Sequence, residues 1–166
     1  MSRRDGPLGP DDPAGWYGRL GPSLHRYALM ILANRQDAED AVHQVFARVL
    51  HARNGVRADA IEPYLRSAVR NECFSMLRQR QRAPAGDADA LLESVASDGD
   101  PVERLLLEAA LRELPPDQRE VVHLKAFEGL TLQEIADVTS ESINTVASRW
   151  RYAMEKLRAA LVTRQS

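Results

Sequence analysis

The chain has 166 residues, a formal net charge of −2, and apolar residues at 44% of its positions. This composition excludes a chain too polar to bury a core, and the length suits one domain or two small ones. No apolar run reaches the roughly 18 residues that a membrane helix needs, so the sequence predicts a cytoplasmic protein without membrane insertion. The single cysteine, Cys73, excludes an internal disulfide, and its place on the apolar side of a predicted helix favours a buried hydrophobic residue over a reactive thiol.

The charges are segregated along the chain although they nearly cancel. Residues 66–82 carry five arginines against one glutamate, residues 142–166 carry five basic groups against one acid, and residues 84–100 carry five acids and no base. Two basic patches therefore flank an acidic connector. Because affinity for DNA rises with the number of phosphates neutralised, patches of this size predict weak free binding that a larger partner complements.

The first half of the chain predicts three helices. Residues 1–12, rich in Gly, Pro and Asp, predict a disordered tail. The Asp-Pro pair at 12–13 predicts the start of a helix that runs to about Ala33, because aspartate caps a helix and proline fits its first turn. Apolar residues at helical spacing predict the second helix over about residues 37–52, and a Glu-Pro pair at 62–63 opens the third.

The second half predicts four more helices after an acidic linker at residues 84–100. An Asp-Pro pair at 100–101 predicts the start of the fourth helix, and two prolines at 115–116 predict its end. The fifth helix covers about residues 117–128 and stops at Gly129, a residue type favoured just after a helix.

The last two predicted helices form a helix-turn-helix. Thr131 and Glu134 provide a capping box for the sixth helix, the turn covers residues 139–141, and Ser142 or Asn144 caps a basic seventh helix. Two helices joined by a tight turn, the second one basic, fit the major groove of DNA. A solvated helix with cations near its C-terminus is the alternative, but the capping box and turn before it favour DNA binding.

No segment predicts a strand. The sequence therefore predicts an all-α fold of two small helical bundles, residues 13–83 and 101–166, joined by a flexible linker, with the helix-turn-helix in the C-terminal bundle.

The predicted helices resemble those of the extracytoplasmic-function (ECF) sigma factors of bacterial RNA polymerase. Residues 37–46 (DAEDAVHQVF) are similar to the acidic helix of that family, and residues 68–78 to its promoter-facing helix. Residues 114–122 (LPPDQREVV) look like the opening of its C-terminal domain, and residues 127–149 like its helix-turn-helix. The resemblance implies an N-terminal sigma domain for core polymerase and the −10 element, and a C-terminal sigma domain for the −35 element.

The resemblance and the residue types together nominate three groups of site residues. The groove-facing and phosphate-contacting residues for the −35 element are Thr131, Ser142, Asn144, Thr145, Ser148, Arg149, Arg151, Tyr152 and Lys156. The −10 residues on the third helix are Tyr64, Arg66, Arg70, Asn71 and Arg78. The polymerase-binding residues on the second helix are Asp37, Glu39, Asp40, Gln44, Phe46 and Arg48.

Several positions depart from the family pattern, among them the pair His43 and Gln44 and residues 62–65, which stand where an aromatic cluster is usual. Ser140 stands where glycine is usual, so a positive φ there would strain the turn. Glu141 occupies a normally buried position and must swing outward, and Ala147 replaces a usual lysine, which removes one phosphate contact.

The motifs imply binding and no catalysis by the chain itself. No phosphate loop, metal-ligand spacing or activated nucleophile is present, so the sequence predicts neither an enzyme nor a cofactor. The expected partners are promoter DNA and core RNA polymerase, with an anti-sigma factor as a further candidate. Two alternatives stay open: a stand-alone helix-turn-helix regulator, or a sigma-like chain that binds polymerase or an anti-sigma factor without opening DNA.

Overall fold

The computed structural model describes residues 13–52, 60–80 and 100–163. Within these ranges the chain forms α1 (Pro13–Leu32), α2 (Arg35–His51), α3 (Ile61–Arg80), α4 (Pro101–Glu113), α5 (Pro116–Val122), a π-helical turn (His123–Phe127), α6 (Leu132–Thr139) and α7 (Ile143–Thr163). These ranges contain no strand, and the predicted all-α class is confirmed. The predictions of a disordered tail at residues 1–12 and a flexible linker at 84–100 fall almost wholly outside the described residues.

The N-terminal bundle consists of α1, α2 and α3, and its buried apolar residues belong to one core cluster that continues into the C-terminal bundle. Asn34 caps α2 by accepting the Asp37 N–H at 2.9 Å, so this helix begins two residues earlier than the sequence predicts. Leu65, Val69 and Cys73 on α3 are fully buried, as their spacing predicts. Burial also raises the pKa of the Cys73 thiol, which fits a hydrophobic residue and not a reactive one.

The C-terminal bundle consists of α4 to α7. Asp100 accepts the Val102 N–H at 3.0 Å and Pro101 fills the first turn of α4, both as predicted. The fifth helix departs from its prediction, because its α-helical part ends at Val122 and continues as the π-helical turn, in which the Glu128 N–H reaches the His123 carbonyl at 3.1 Å. Gly129, with a φ of 73°, ends this segment as predicted.

The two bundles pack directly against each other. Helix α5 lies between α7 of its own bundle and α1 of the other, and α3 also contacts α6. Four consecutive residues of α5, from Arg119 to Val122, are all buried, which requires neighbours on every side of the helix. The sequence predicts a covalent linker but not this shared face, because the contacts join residues about ninety positions apart in the chain.

None of the described helices combines the length and apolarity that crossing a membrane requires.

Candidate nucleic-acid interface

The sixth helix begins with the predicted capping box. The Glu134 N–H donates to the Thr131 hydroxyl at 3.2 Å, and the Thr131 N–H donates to the Glu134 carboxylate at 2.7 Å. Each side chain therefore satisfies a backbone group that the helix leaves free. Thr131 itself is exposed at this end of α6, where the prediction places a DNA contact.

The turn between α6 and α7 adopts the backbone that a glycine would favour. Ser140 has φ 54° and ψ 36°, the left-handed conformation, and the Glu141 N–H closes the turn on the Ala136 carbonyl at 3.1 Å. The positive φ that the sequence analysis associates with strain at Ser140 is therefore present. A residue with a side chain adopts this left-handed backbone only at a cost in free energy. Glu141 points out of the core, as expected, and meets Arg149.

The seventh helix presents most of its predicted DNA contacts at the surface. Ser142 caps it by accepting the Thr145 N–H at 3.1 Å, and the two hydroxyls are 2.9 Å apart. Thr145 and Ser148 are half-buried. The exposed members of the predicted set on α7 and its cap are Ser142, Asn144, Arg151, Tyr152 and Lys156.

The exposed groups on α7 carry chemistry that suits DNA. The Arg151 guanidinium lies 5.1 Å from the centre of the Tyr152 ring, and both side chains are exposed, as a contact to phosphate requires. Lys156 reaches Gln118 at 3.3 Å from an exposed position. Asn144, in the first turn of the helix, can bond an adenine edge bidentately.

Arg149 is held inside the bundle by two carboxylates. Its guanidinium lies 3.1 Å from Asp117 at the start of α5 and 3.1 Å from Glu141 in the turn. Only 21% of its side chain is exposed. Arg149 therefore fixes the turn and α5 to α7 in this structure, and its predicted role in base recognition stays a prediction.

The third helix divides its predicted −10 residues into two groups. Tyr64, Asn71 and Arg78 are exposed. Arg66 lies 2.7 Å from Glu128, and Arg70 lies 2.7 Å from Glu120, both in the C-terminal bundle. The two arginines are thus engaged by acids of the other bundle.

A pocket of about 330 Å³ marks the seam between the bundles. From α3 it is lined by Arg70, Asn71, Phe74 and Arg78, and from the C-terminal bundle by Asp117, Glu141 and Arg149. The predicted −10 surface therefore faces the predicted −35 bundle in this conformation.

The second helix carries the predicted polymerase contacts on several sides. Gln44 and Arg48 are exposed, and Arg48 pairs with Glu72 of α3. Asp37, Glu39 and Asp40 are half-buried in its first two turns, where Asp37 pairs with Arg80. Phe46 is buried in edge-to-face contact with Tyr17. In this conformation it packs beneath the exposed residues of α2 and is not itself at the surface.

Sequence reasoning did not single out four residues at the contact between the bundles. They are Tyr27 on α1, Arg119 and Glu120 on α5, and His123 in the π-helical turn. A signal was available in this part of the chain, where Arg119, Glu120 and His123 lie next to the apolar residues Val121, Val122 and Leu124. It did not reveal that the partner of this polar face would be another bundle.

The described residues contain no group of three or more His, Cys, Asp or Glu side chains that could hold a metal ion.

Two family models match the two bundles in order. "Sigma-70 region 2" matches residues 16–83 and "Sigma-70, region 4" matches residues 104–157. Each match falls on one helical bundle, and together they leave out the start and end of the chain and the acidic segment between the bundles.

The chain is also similar in sequence to two named ECF sigma factors. The chain is 31% identical over 137 residues to the ECF RNA polymerase sigma-E factor of Escherichia coli, a match covering 73% of this chain and 72% of that protein. It is 28% identical over 151 residues to the ECF RNA polymerase sigma factor SigE of Mycolicibacterium smegmatis, covering 86% of this chain but only 59% of that relative's length.

A solved structure shares the fold. The sigma factor RpoE of Bartonella quintana, crystallised with the anti-sigma factor NepR, is 22% identical with a TM-score of 0.66. That alignment covers 89% of this chain and 95% of the other.

Proposed function

The chain belongs to the ECF branch of the sigma-70 family, and from this premise we propose that it directs bacterial RNA polymerase to promoters and initiates transcription there. The N-terminal bundle would hold the core enzyme and open the −10 element, while the C-terminal bundle would bind the −35 element. The chemistry of RNA synthesis would remain with the polymerase, so the chain acts by binding, in the cytoplasm where polymerase and DNA meet.

The helix-turn-helix is the observation that supports this proposal best. Its capping box, left-handed turn and Ser142 cap fix the start of α7 by hydrogen bonds, and Asn144, Arg151 and Lys156 are exposed on that helix. The same chain also contains the bundle that matches sigma-70 region 2. A basic helix of this kind, joined to that bundle, is suited to contact the upstream promoter element in the major groove. The formal net charge of −2 gives the free chain little electrostatic attraction to DNA. This fits a protein that binds DNA mainly as part of a larger enzyme.

An anti-sigma factor is a proposed further partner. The Bartonella relative of similar fold was crystallised with such a protein. The exposed Val102 and Leu105 on α4 offer apolar surface in the C-terminal bundle for a partner to cover.

Transcription with purified components tests the function. The chain and core polymerase are combined on a library of promoter sequences, and transcripts are expected only when both are present. DNA binding without polymerase would indicate the stand-alone regulator, and polymerase binding without transcripts would indicate the sigma-like chain that does not open DNA.

A pair of variants on α7 tests which contacts specify the sequence. Asn144→Ala should cost about 1–3 kcal/mol at one base position and relax specificity there. Lys156→Ala should weaken binding similarly for all sequences and reduce the slope of log affinity against log salt by about one. Affinities of the two holoenzymes, measured on matched promoters over a salt series, distinguish these roles. Identical effects of both variants on every promoter would contradict the assignment.

A further inference from the structure

A groove of about 830 Å³ runs along the surface between α1 and α2 and lies entirely on the N-terminal bundle. Its lining residues recur every four positions on both helices, as they do along one face of a helix. Gly21 and Pro22, in the middle of α1, carry small side chains or none, which leaves the groove open there. The polar side chains that line it are Tyr17, His25 and Arg26 from α1, and Arg35, Glu39 and His43 from α2.

The groove contains two of the four histidines of the chain. His43 is exposed on α2, where its Nε2 lies 2.9 Å from the hydroxyl of Tyr17 and the two rings stack with centroids 5.9 Å apart. The Nε2 of His25 is buried, and the described residues offer it no hydrogen-bond partner. His43 also departs from the family pattern, in which glutamine is common at this position.

Among the residues described around the groove, cations outnumber acids. Burial lowers the pKa of His25, and it outweighs the opposing charge of Glu39. The other charged groups that act on His25 lower its pKa further; they are Arg35 and His43 from α2 and Arg26 on its own helix. His25 is therefore neutral at neutral pH. Glu39 also lies one turn before His43 on α2, so the same carboxylate serves both imidazoles.

The groove is continuous with the proposed polymerase-binding surface of α2. Glu39 belongs to both, and the exposed Gln44 of that surface directly follows His43 in the chain. A large partner that contacts these residues of α2 therefore also covers the mouth of the groove. The inference below rests on the proposed function, because it needs core polymerase as that partner.

Acid opposes docking of this kind for two reasons. A partner that covers the groove removes water from both imidazoles, and an imidazolium beside two arginines loses hydration that one carboxylate replaces only in part. A charged His43 would also cancel the field of Glu39, on a surface whose acids attract a cationic partner. Docking therefore favours the neutral imidazoles, so the affinity is complete above the pKa of the free histidines and is lost as the pH falls below it.

We propose that His25 and His43 make the docking of the N-terminal bundle on core polymerase sensitive to acid, because the partner has to cover two neutral imidazoles in the groove between α1 and α2. A histidine of ordinary basicity titrates near about pH 6.5, so protons compete with the polymerase between about pH 7 and pH 5.5. Each imidazole that has to lose its proton weakens docking up to about tenfold for each pH unit below its titration.

Binding of the chain to core polymerase over a pH series, without promoter DNA, tests the proposal. Fluorescence anisotropy follows a dye at Val162→Cys in the last turn of α7, an exposed position, while the native Cys73 is buried and escapes labelling. Relative to the double variant His25→Gln/His43→Gln, the affinity of wild type should fall about tenfold between about pH 7.5 and pH 5.5. The comparison at each pH cancels any titration of the polymerase itself.

Two single variants make the result decisive. His51→Gln is the matched control, because His51 is an exposed histidine at the end of the same helix and lies outside the groove, and it should keep the wild-type dependence on pH. His43→Gln should remove part of that dependence, and because His43 is exposed, this variant should fold even where the loss of His25 disturbs the bundle. Parallel pH profiles for wild type and His43→Gln, both with native helical content, would overturn the proposal.

Failure of the proposed function would give a different result. Wild type would then bind core polymerase at no pH, which overturns the proposed function and the sensitivity to acid with it. Binding of wild type with the same pH profile as His43→Gln would overturn only the sensitivity to acid and leave the proposed function intact.

Discussion

Arg149 shows how one residue can have a structural role where the sequence suggests recognition. Its two carboxylate partners come from α5 and from the turn, so it joins three parts of the C-terminal bundle. The sequence placed it correctly on α7 beside exposed basic residues. The acids that engage it, 8 positions away in one case, were not foreseeable from helix periodicity.

Arg149→Ala should therefore destabilise the protein more than Arg151→Ala. Loss of both ion pairs should cost about 1–2 kcal/mol, a value limited by solvent screening because both carboxylates are partly exposed. Arg151 is the matched control, since it is exposed and, among the described residues, its guanidinium contacts the neighbouring Tyr152 ring and no carboxylate. Urea unfolding followed by circular dichroism measures the difference. Equal losses in the two variants would contradict the structural role of Arg149.

Glu128 should make the stability of the chain sensitive to acid. Burial alone would raise its pKa, but the hydrogen bond and charge of His123 and the charge of Arg66 outweigh burial and lower it. A carboxylate whose pKa is lower in the folded than in the unfolded state stabilises the folded protein at pH values above its unfolded pKa, which is near 4.5. That stabilisation is lost as the pH falls through the folded-state pKa.

The variant Glu128→Gln isolates this contribution. Between about pH 5 and pH 3, wild type should lose more unfolding free energy than Glu128→Gln, as measured by urea titrations at each pH. Glu103→Gln, at an exposed position on α4, controls for the loss of one acid. Parallel pH profiles for wild type and Glu128→Gln would show that the Arg66 and His123 contacts do not set its pKa.

At the scale of elements, local signals predicted helix ends well. The caps at Asp100 and Thr131 satisfy backbone groups within three residues, so sequence spacing alone reveals that they can form, whereas the Asn34 cap of α2 was not predicted. The π-helical turn was missed because one extra residue per turn leaves no clear periodicity. The burial of α5 on both sides was missed because it depends on partners far along the chain.

The helix-turn-helix should gain stability when its turn receives the residue that its backbone favours. Ser140→Gly removes the left-handed strain at φ 54° and should stabilise by about 0.5–1 kcal/mol. Ser142→Ala, two residues on, removes the cap of α7 and should destabilise by about 1 kcal/mol. Thermal unfolding of both variants gives the two signs. Destabilisation by Ser140→Gly would mean that the serine makes a compensating contact.

For the whole molecule, the sequence predicted two bundles and their order, and the structure adds their mutual packing. The chain between Arg80 and Asp100 can extend to roughly 65 Å, so the bundles can separate without leaving the same polypeptide. Once one bundle is bound, this tether raises the effective concentration of the other at its own site. Weak contacts in each half can then combine into selective binding on the polymerase.

Site-directed cleavage of promoter DNA tests most directly whether the N-terminal bundle binds the −10 element and the C-terminal bundle binds the −35 element. Iron chelates are placed at Tyr64→Cys on α3 and at Tyr152→Cys on α7, both exposed positions, and Val162→Cys serves as the control. With core polymerase, cuts from Tyr64 should fall near −10 and cuts from Tyr152 near −35, about 25 base pairs or roughly 85 Å apart. Overlapping cuts from both positions, or the same cuts without polymerase, would contradict the account.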